Sequence, residues 1–416
     1  MLRWLYVDFN SYFASVEQQM EPRLRGKPVA VLPVDTDSTC AIAASYEAKA
    51  FGIKTGTPIY EAKKRCKGLI CVLARHEHYV DFHHRIIAEI DRHLPVAAVC
   101  SIDEMACRLM ANEAPPEIAR GIAEKIKRGL AARIGEYVRC SIGISTNRYL
   151  AKLGTDLQKP DGLVTLFPEE LPGRINHLSL RDFPGIGYNM EARLHRSGIY
   201  DVAGLWSLSA AHMRKIWHSL EGDRFWHALR GVDLPEQETN RRTIGHSHVI
   251  SPEFRDGKSA RLIARRLTLK AASRLRRIEH RARRFALSVR IENGPRWAGE
   301  AACASSCDSF TFLHALERLW EIMCIENPRA RIKKASVVIH GLEPAHLLQG
   351  NLLEPFAGAE EKVRQRGEKL GFAMDRLNQK YGRNTVMIGD VATQPGHFTG
   401  TKVAFTRIPD IEEFKE

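Results

Sequence analysis

Two short strings place carboxylates where apolar stretches end: Val7-Asp8-Phe9, closing residues 2–9, and Ser101-Ile102-Asp103-Glu104-Met105, closing residues 96–103. The apolar runs predict buried strands, so Asp8, Asp103 and Glu104 are expected at a sheet edge where the chain turns outward. Three carboxylates gathered there repel one another unless a cation lies between them. An all-oxygen donor set suits Mg²⁺, which keeps part of its water shell and recruits phosphate oxygens. Two such ions about 3.5–4 Å apart would activate an attacking oxygen and stabilise a leaving one in phosphoryl transfer. Strand-end acids are also ordinary surface residues, and spacing alone does not separate the two readings.

The elements that must position these acids alternate along the first ~165 residues. Strands are expected at 2–9, 27–34, 96–103 and 138–145, and helices at 11–19, 45–51, 79–94 and 116–134. That order is an α+β block with β-α-β units. Near Phe167-Pro168-Glu169-Glu170-Leu171-Pro172 the pattern changes to short helices punctuated by glycines, as in Pro184-Gly185-Ile186-Gly187. A polar stretch at 234–242 reads as a linker. Beyond it come strand 243–250, helix 257–276, strands 283–292 and 297–306, helix 310–324 and strand 333–340, an order that resembles a split β-α-β unit. One more helix is expected at 360–381.

With 416 residues, the chain is too long for one core, and two to four domains are expected. No run approaches the ~18 apolar residues of a membrane helix, and the first residues lack a signal-peptide layout, so a cytoplasmic protein with no membrane partner is expected. Nine cysteines without CxxC pairs argue against a disulfide framework or zinc ribbon. The histidines of Arg75-His-Glu-His-Tyr-Val-Asp-Phe-His-His84 match no zinc spacing and read as a polar helix face. There is no P-loop string, which disfavours an ATPase. The net charge of +13 is concentrated: residues 241–296 hold 16 Lys and Arg against four acids. Such one-signed density favours a polyanion, nucleic acid above all.

Read together, Asp8-Phe-Asn-Ser-Tyr-Phe-Ala-Ser-Val-Glu17, Ser45-Tyr-Glu-Ala-Lys-Ala-Phe-Gly-Ile-Lys-Thr-Gly56, Ser101-Ile-Asp-Glu104, Ser145-Thr-Asn-Arg-Tyr-Leu-Ala-Lys152 and Thr155-Asp-Leu-Gln-Lys-Pro-Asp-Gly162 occur in one order. That series closely resembles the Y-family, or translesion, DNA polymerases over roughly residues 1–350. The resemblance implies a right-handed multidomain polymerase. Palm and fingers would occupy 1–166 (fingers about 14–75), a helix-hairpin-helix thumb 167–233 and a linker 234–242. A β-α-β-β-α-β little finger would follow at 243–345, and an extension at 346–416.

The resemblance also implies roles. Asp8, Asp103 and Glu104 match the family's catalytic carboxylates, and Phe9 would lend a backbone carbonyl to two Mg²⁺ ions. Phe13 occupies the steric-gate position, where a ring would clash with a ribose 2′-hydroxyl, and it also reads as a core aromatic. Tyr46, Lys49 and Lys159 match triphosphate-binding positions, and Ile42 should lie over the nascent base pair. Gly185 and Gly187 would let backbone N–H groups approach a phosphate. Arg241, Arg242, Arg265, Arg276, Arg283 and Arg284 of the basic block are expected on DNA. Gln349, Leu352 and Leu353 resemble a degenerate sliding-clamp peptide.

There are departures. Lys49 stands where many relatives carry Arg, Asn10 replaces an Asp, and Met105-Ala-Cys-Arg108 is atypical. Lys49, Asn10 and the string 374–386 agree with the UmuC-like SOS branch, in which accessory subunits are possible partners. Primer-template DNA and deoxynucleoside triphosphates are the expected substrates. The competing expectations are a catalytically silent family-shaped accessory protein and an unrelated nucleic-acid-binding protein. The intact carboxylate set favours an active enzyme.

Overall fold

The computed structural model describes residues 1–235, 242–345, 358–382 and 385–389, with 403, 408, 409 and 414. The chain divides into two compact units that part at Glu236–Gln237, and Val403, Ile408 and Phe414 pack against the main core of the first.

The first unit begins β1 (Trp4–Phe9), α1 (Tyr12–Met20), β2 (Val29–Leu32), β3 (Ala43–Ala44), α2 (Tyr46–Lys49), α3 (Ile59–Arg65) and β4 (Ile70–Leu73). It continues α4 (His76–Asp91), β5 (Val96–Val99), β6 (Glu104–Arg108), α5 (Pro116–Arg133), β7 (Cys140–Ser145), α6 (Arg148–Leu157) and β8 (Leu163–Leu166). The main sheet has the order β5-β6-β1-β7-β8, with β1 antiparallel to both neighbours. Every residue of β1 is buried because helices cover both faces. Leu5, Val7 and Phe9 join the main core with residues of α1, α4 and α5, whereas Trp4 and Tyr6 meet Ala151 of α6 on the other face. Side chains alternate along a strand, so Asp8 shares the α6 face with Tyr6.

Helix α6 approaches the sheet this closely because position 143 is glycine. A Cβ there would lie 1.9 Å from the Ala151 carbonyl oxygen and 2.8 Å from the Thr155 nitrogen. A smaller sheet, β3-β2-β4, carries α2 and α3. The unit ends in α7 (Tyr188–Arg196), α8 (Val202–Ser207), α9 (Ala210–Trp217) and α10 (Leu220–Leu229), around a core that includes Phe183, Leu194, Met213 and Phe225.

The second unit runs β9 (Thr243–Val249), α11 (Gly257–Arg277), β10 (His280–Ile291), β11 (Arg296–Ser306), α12 (Ser309–Glu326), β12 (Ile332–Pro344) and α13 (Gly358–Tyr381). Its sheet order is β11-β10-β12-β9, antiparallel throughout. β9 and β10 are therefore parallel with β12 between them, and β11 and β12 are parallel with β10 between them. Two interleaved split β-α-β units result. Helices α11 and α12 cover one face of the sheet, and α13 packs against both of them.

Sequence patterning misplaces one element that matters. The strand expected at 96–103 stops at Val99, and Glu104 opens a new strand. The backbone N–H groups of Cys100 and Ser101 both donate to the Glu104 carbonyl, at 2.9 and 3.2 Å, closing a tight hairpin. Asp103 and Glu104 thus enter the sheet from a turn. They do not trail off its edge.

Candidate active site

Asp8 and Glu104 are cross-strand partners in the β1–β6 pairing, and the Phe9 N–H donates to the Asp103 carbonyl at 2.9 Å. This hairpin brings all three acids to one end of β1. Asp8 is 5 % exposed. Burial, with the charges of Asp8 and Glu104, pushes the Asp103 carboxyl above the usual carboxylate range, against the Ser101 hydroxyl that donates to it at 2.5 Å. The Tyr6 hydroxyl donates to Glu104 Oε2 at 3.3 Å. The turn is braced from below by His83 of α4, whose Nδ1 lies 2.8 Å from the Ile102 carbonyl. Burial lowers the His83 pKa to about 4, so the ring is neutral at pH 7 and donates to that carbonyl.

Among the described residues, no three His, Cys, Asp or Glu side chains close on one point as they stand. Lys152 of α6 stands between the acids instead, paired with Asp8, with Glu104 at 2.9 Å and with Asp156 at 3.4 Å. Lys159 pairs with Asp8 at 2.9 Å and with Asp156 at 2.7 Å. The donor set still fits a hard divalent cation. It is all oxygen, it carries an acid raised by burial and by its acidic neighbours, and it already draws an ammonium into its centre.

Lys159 also influences Tyr46 and Lys49, as does Asp8. Burial and then the Lys159 charge hold Lys49 below its usual range, with Asp8 opposing; burial raises Tyr46. The Lys49 ammonium lies 4.2 Å from the centre of the Tyr46 ring. Tyr46, Lys49 and Lys159 therefore gather near Asp8, as a polyphosphate cradle requires. Phe13 and Ile42 are half-buried against the main core. The Phe13 ring stacks on Tyr79 with centroids 4.4 Å apart, so it is held as a core aromatic whatever else it does. Asn10 donates to the Ser141 hydroxyl at 3.1 Å and accepts from the Asp161 N–H at 2.7 Å, bracing the segment that carries Lys159.

The catalytic region matches the model of the impB/mucB/samB family over residues 7–156, the helical region the thumb domain of DNA polymerase iota over 181–233, and the second unit the impB/mucB/samB C-terminal domain over 241–352. The chain is 32% identical to DNA polymerase IV 2 of Agrobacterium fabrum over 258 residues, covering 62% of this chain and 71% of that protein. It is 31% identical to DNA polymerase IV of Halorhodospira halophila, covering 69% of this chain and 80% of the relative. Among solved structures, a chimeric Y-family DNA polymerase shares the fold with a TM-score of 0.70 at 24% identity, over 83% of this chain and 100% of that one.

The chain belongs to the DinB-like Y family of DNA polymerases. It is a DNA-directed DNA polymerase of the translesion class, a metal-dependent group whose substrates are DNA and nucleotides. In this Y-family chain the thumb glycines lie open: a Cβ at Gly185 or Gly187 would meet nothing within 4 Å, and Gly185 has φ +90°. Gly187 caps α7 in extended conformation.

The basic block divides between two layers of the second unit. Arg283 and Arg284 are exposed on β10, at an irregularity in its register with β11 that turns both outward, and they pair with Glu343 at 2.6 Å and Glu300 at 2.5 Å. Arg242 is exposed, and Arg241 lies outside the described residues. Two of the arginines expected on DNA are held in ion pairs. Arg265 pairs with Glu317 at 2.5 Å, and Arg276, 5 % exposed, donates to Asp375 at 2.6 and 3.0 Å and to the Cys307 carbonyl at 2.9 Å. Both sit on α11, in the layer behind the sheet.

A further cationic row stands on the same sheet. Arg290 is flanked by Arg296 and Lys334 in one cross-strand row on the sheet face that no helix covers. Like charges set opposite one another are unfavourable without an anion. The signal was available: each stands at the parity opposite to the buried Leu287, Val289 and Ala335. Gln349, Leu352 and Leu353 lie outside the described residues. No described helix is long and apolar enough to cross a membrane.

Proposed function

We propose that this site adds deoxynucleotides to a primer 3′ end by phosphoryl transfer, with Asp8, Asp103, Glu104 and the Phe9 carbonyl holding two Mg²⁺ ions. The observation that carries this reading is the convergence of three acids and the Tyr46–Lys49–Lys159 group on one end of β1. When bound, the ions supply charge neutralisation and a more acidic attacking hydroxyl. The protein's own part is positional. Lys49 and Lys159 would bind the triphosphate as point charges, with Tyr46 beside them, and leave the acids to their ions. Phe13, locked against Tyr79, would present a rigid edge to the sugar, and Ile42 a surface to the base.

The open thumb glycines, the exposed cations at 242, 283, 284, 290 and 296 and the half-buried Lys334 would hold primer-template by its phosphates, a grip indifferent to sequence and to lesions. Clamp binding through Gln349, Leu352 and Leu353, accessory SOS subunits and a cytoplasmic location belong to the same proposal. A catalytically silent role is disfavoured because a silent relative has no need of a complete acid set.

Primer extension by the full chain with Mg²⁺ on an undamaged template tests the proposal, and Phe13→Ala refines it. Wild-type protein should extend with deoxynucleotides and strongly discriminate against ribonucleotides; the variant should lose most of that discrimination. Unchanged sugar selectivity would leave Phe13 a core residue alone, and no extension by the wild type would sink the proposal.

A further inference from the structure

We propose that Lys152 serves as a counter-ion of the acid site, and that a divalent cation enters by displacing its ammonium onto Asp156. The proposal rests on the assignment of Asp8, Asp103 and Glu104 as the metal carboxylates. The Lys152 ammonium has two sets of partners. Asp8 and Glu104 (2.9 Å) are assigned to the ions; Asp156, 3.4 Å away, is not. Asp156 stands one turn further along the same helix, where an i+4 neighbour is within reach without backbone movement. Gly143 fixes that helix against β7, so the exchange is a side-chain rotation and needs no shift of α6. The Lys152 side chain is only 19 % exposed, with Tyr6 alongside at 5.7 Å. Water therefore screens it poorly from any second cation placed among the same acids.

While Lys152 lies there, the acids are neutralised and stay gathered, which prepares the site but also blocks it. A cation must first remove a fixed positive charge from hydrogen-bonding distance. Asp156 makes that removal inexpensive, because the ammonium exchanges one carboxylate for another and is not left bare. The same aspartate holds Lys159 at 2.7 Å, so it can take up whichever lysine the acids release.

The test uses the full chain without DNA or nucleotide, titrated with Mn²⁺ while the free ion is followed by electron paramagnetic resonance. Lys152→Met keeps the length of the side chain and removes the competitor, so Mn²⁺ should bind tighter by on the order of tenfold, the worth of one or two charged hydrogen bonds. Asp156→Asn should act in the opposite direction and weaken binding severalfold, because the displaced ammonium has nowhere to go. A lysine that merely supports the fold would give weaker binding when removed, never tighter. Unchanged or weaker Mn²⁺ binding by a folded Lys152→Met, or unchanged or tighter binding by Asp156→Asn, would overturn the proposal. If Lys152→Met does not fold, Asp156→Asn decides alone. Asp103→Asn separates the two layers of inference: Mn²⁺ binding indifferent to Asp103 would refute the metal-site assignment itself. Thermal unfolding without divalent ion gives a second readout. Lys152→Met should melt several degrees below wild type, and Mn²⁺ should restore more of its midpoint than it adds to wild type.

Discussion

At the scale of single residues, the acid cluster depends on a hairpin held from outside the sheet. His83 is 2 % exposed and its pKa is lowered to about 4 by burial, while its ring donates to the carbonyl beside Asp103. In the unfolded chain a histidine takes its proton near pH 6.5. Between pH 6.5 and 4 the unfolded state therefore binds more protons than the folded one, and stability falls as pH drops through that window. The contribution is complete above pH 6.5, and the loss at pH 4 is roughly 3 kcal/mol. Urea unfolding of wild type and His83→Gln between pH 7 and 4.5 should show the variant less stable at neutral pH but with a visibly shallower decline. Parallel declines would mean that His83 does not titrate as its burial requires. The carboxylates themselves were legible in the sequence, because an acid interrupting an apolar run is conspicuous. His83 and Lys152 were not. A histidine in a polar-looking helix and a lysine in a helix gain their roles only from partners nineteen residues and more than a hundred residues away along the chain, respectively.

At the scale of elements, the strands and helices that were expected followed the hydrophobic period, but the short elements α3, β4, α6 and β8 were not anticipated, and other errors arose where tertiary pairing set the ends. The strand expected to carry Asp103 and Glu104 was cut at Val99 by a hairpin that no local pattern announces. The net charge of the basic block was overcounted for a similar reason. Its arginines were counted against nearby acids, but several find partners far along the chain, in Glu317, Glu368 and Asp375. Helix α13 supplies two of these acids, and through them it is pinned to the second unit. Asp375→Ala should leave the Arg276 guanidinium buried without its carboxylate and cost about 3 kcal/mol, since a stranded buried charge costs far more than an exposed pair contributes. Urea unfolding of the full chain, followed by the transition that contains the second unit, checks this. A loss below roughly 0.5 kcal/mol, typical of an exposed pair, would show that α13 is not held by this ion pair.

At the scale of the whole molecule, the first unit carries the acid cluster and the second a cationic row on its sheet. Arg290, Arg296 and Lys334 stand side by side across three strands. If all three meet phosphates, the triple alanine variant should bind duplex primer-template more weakly. Its log–log salt slope should be shallower by about 2.7, near 0.9 for each phosphate no longer neutralised. An unchanged slope would assign the row another purpose. The polymerase fold was legible from ordered motifs, whereas the cationic row on the second unit's sheet required strand register, which decides which alternate residues share a side. The acid site carries the central claim, and one comparison tests it most directly: single-nucleotide addition by Asp103→Asn and wild type with Mg²⁺, beside primer-template affinity for each. Addition should fall by about 10³-fold or more, as expected when a group stabilising transition-state charge is removed, with DNA affinity unchanged within about twofold. Addition at a rate close to wild type by the purified variant would contradict the assignment of these carboxylates as the catalytic centre.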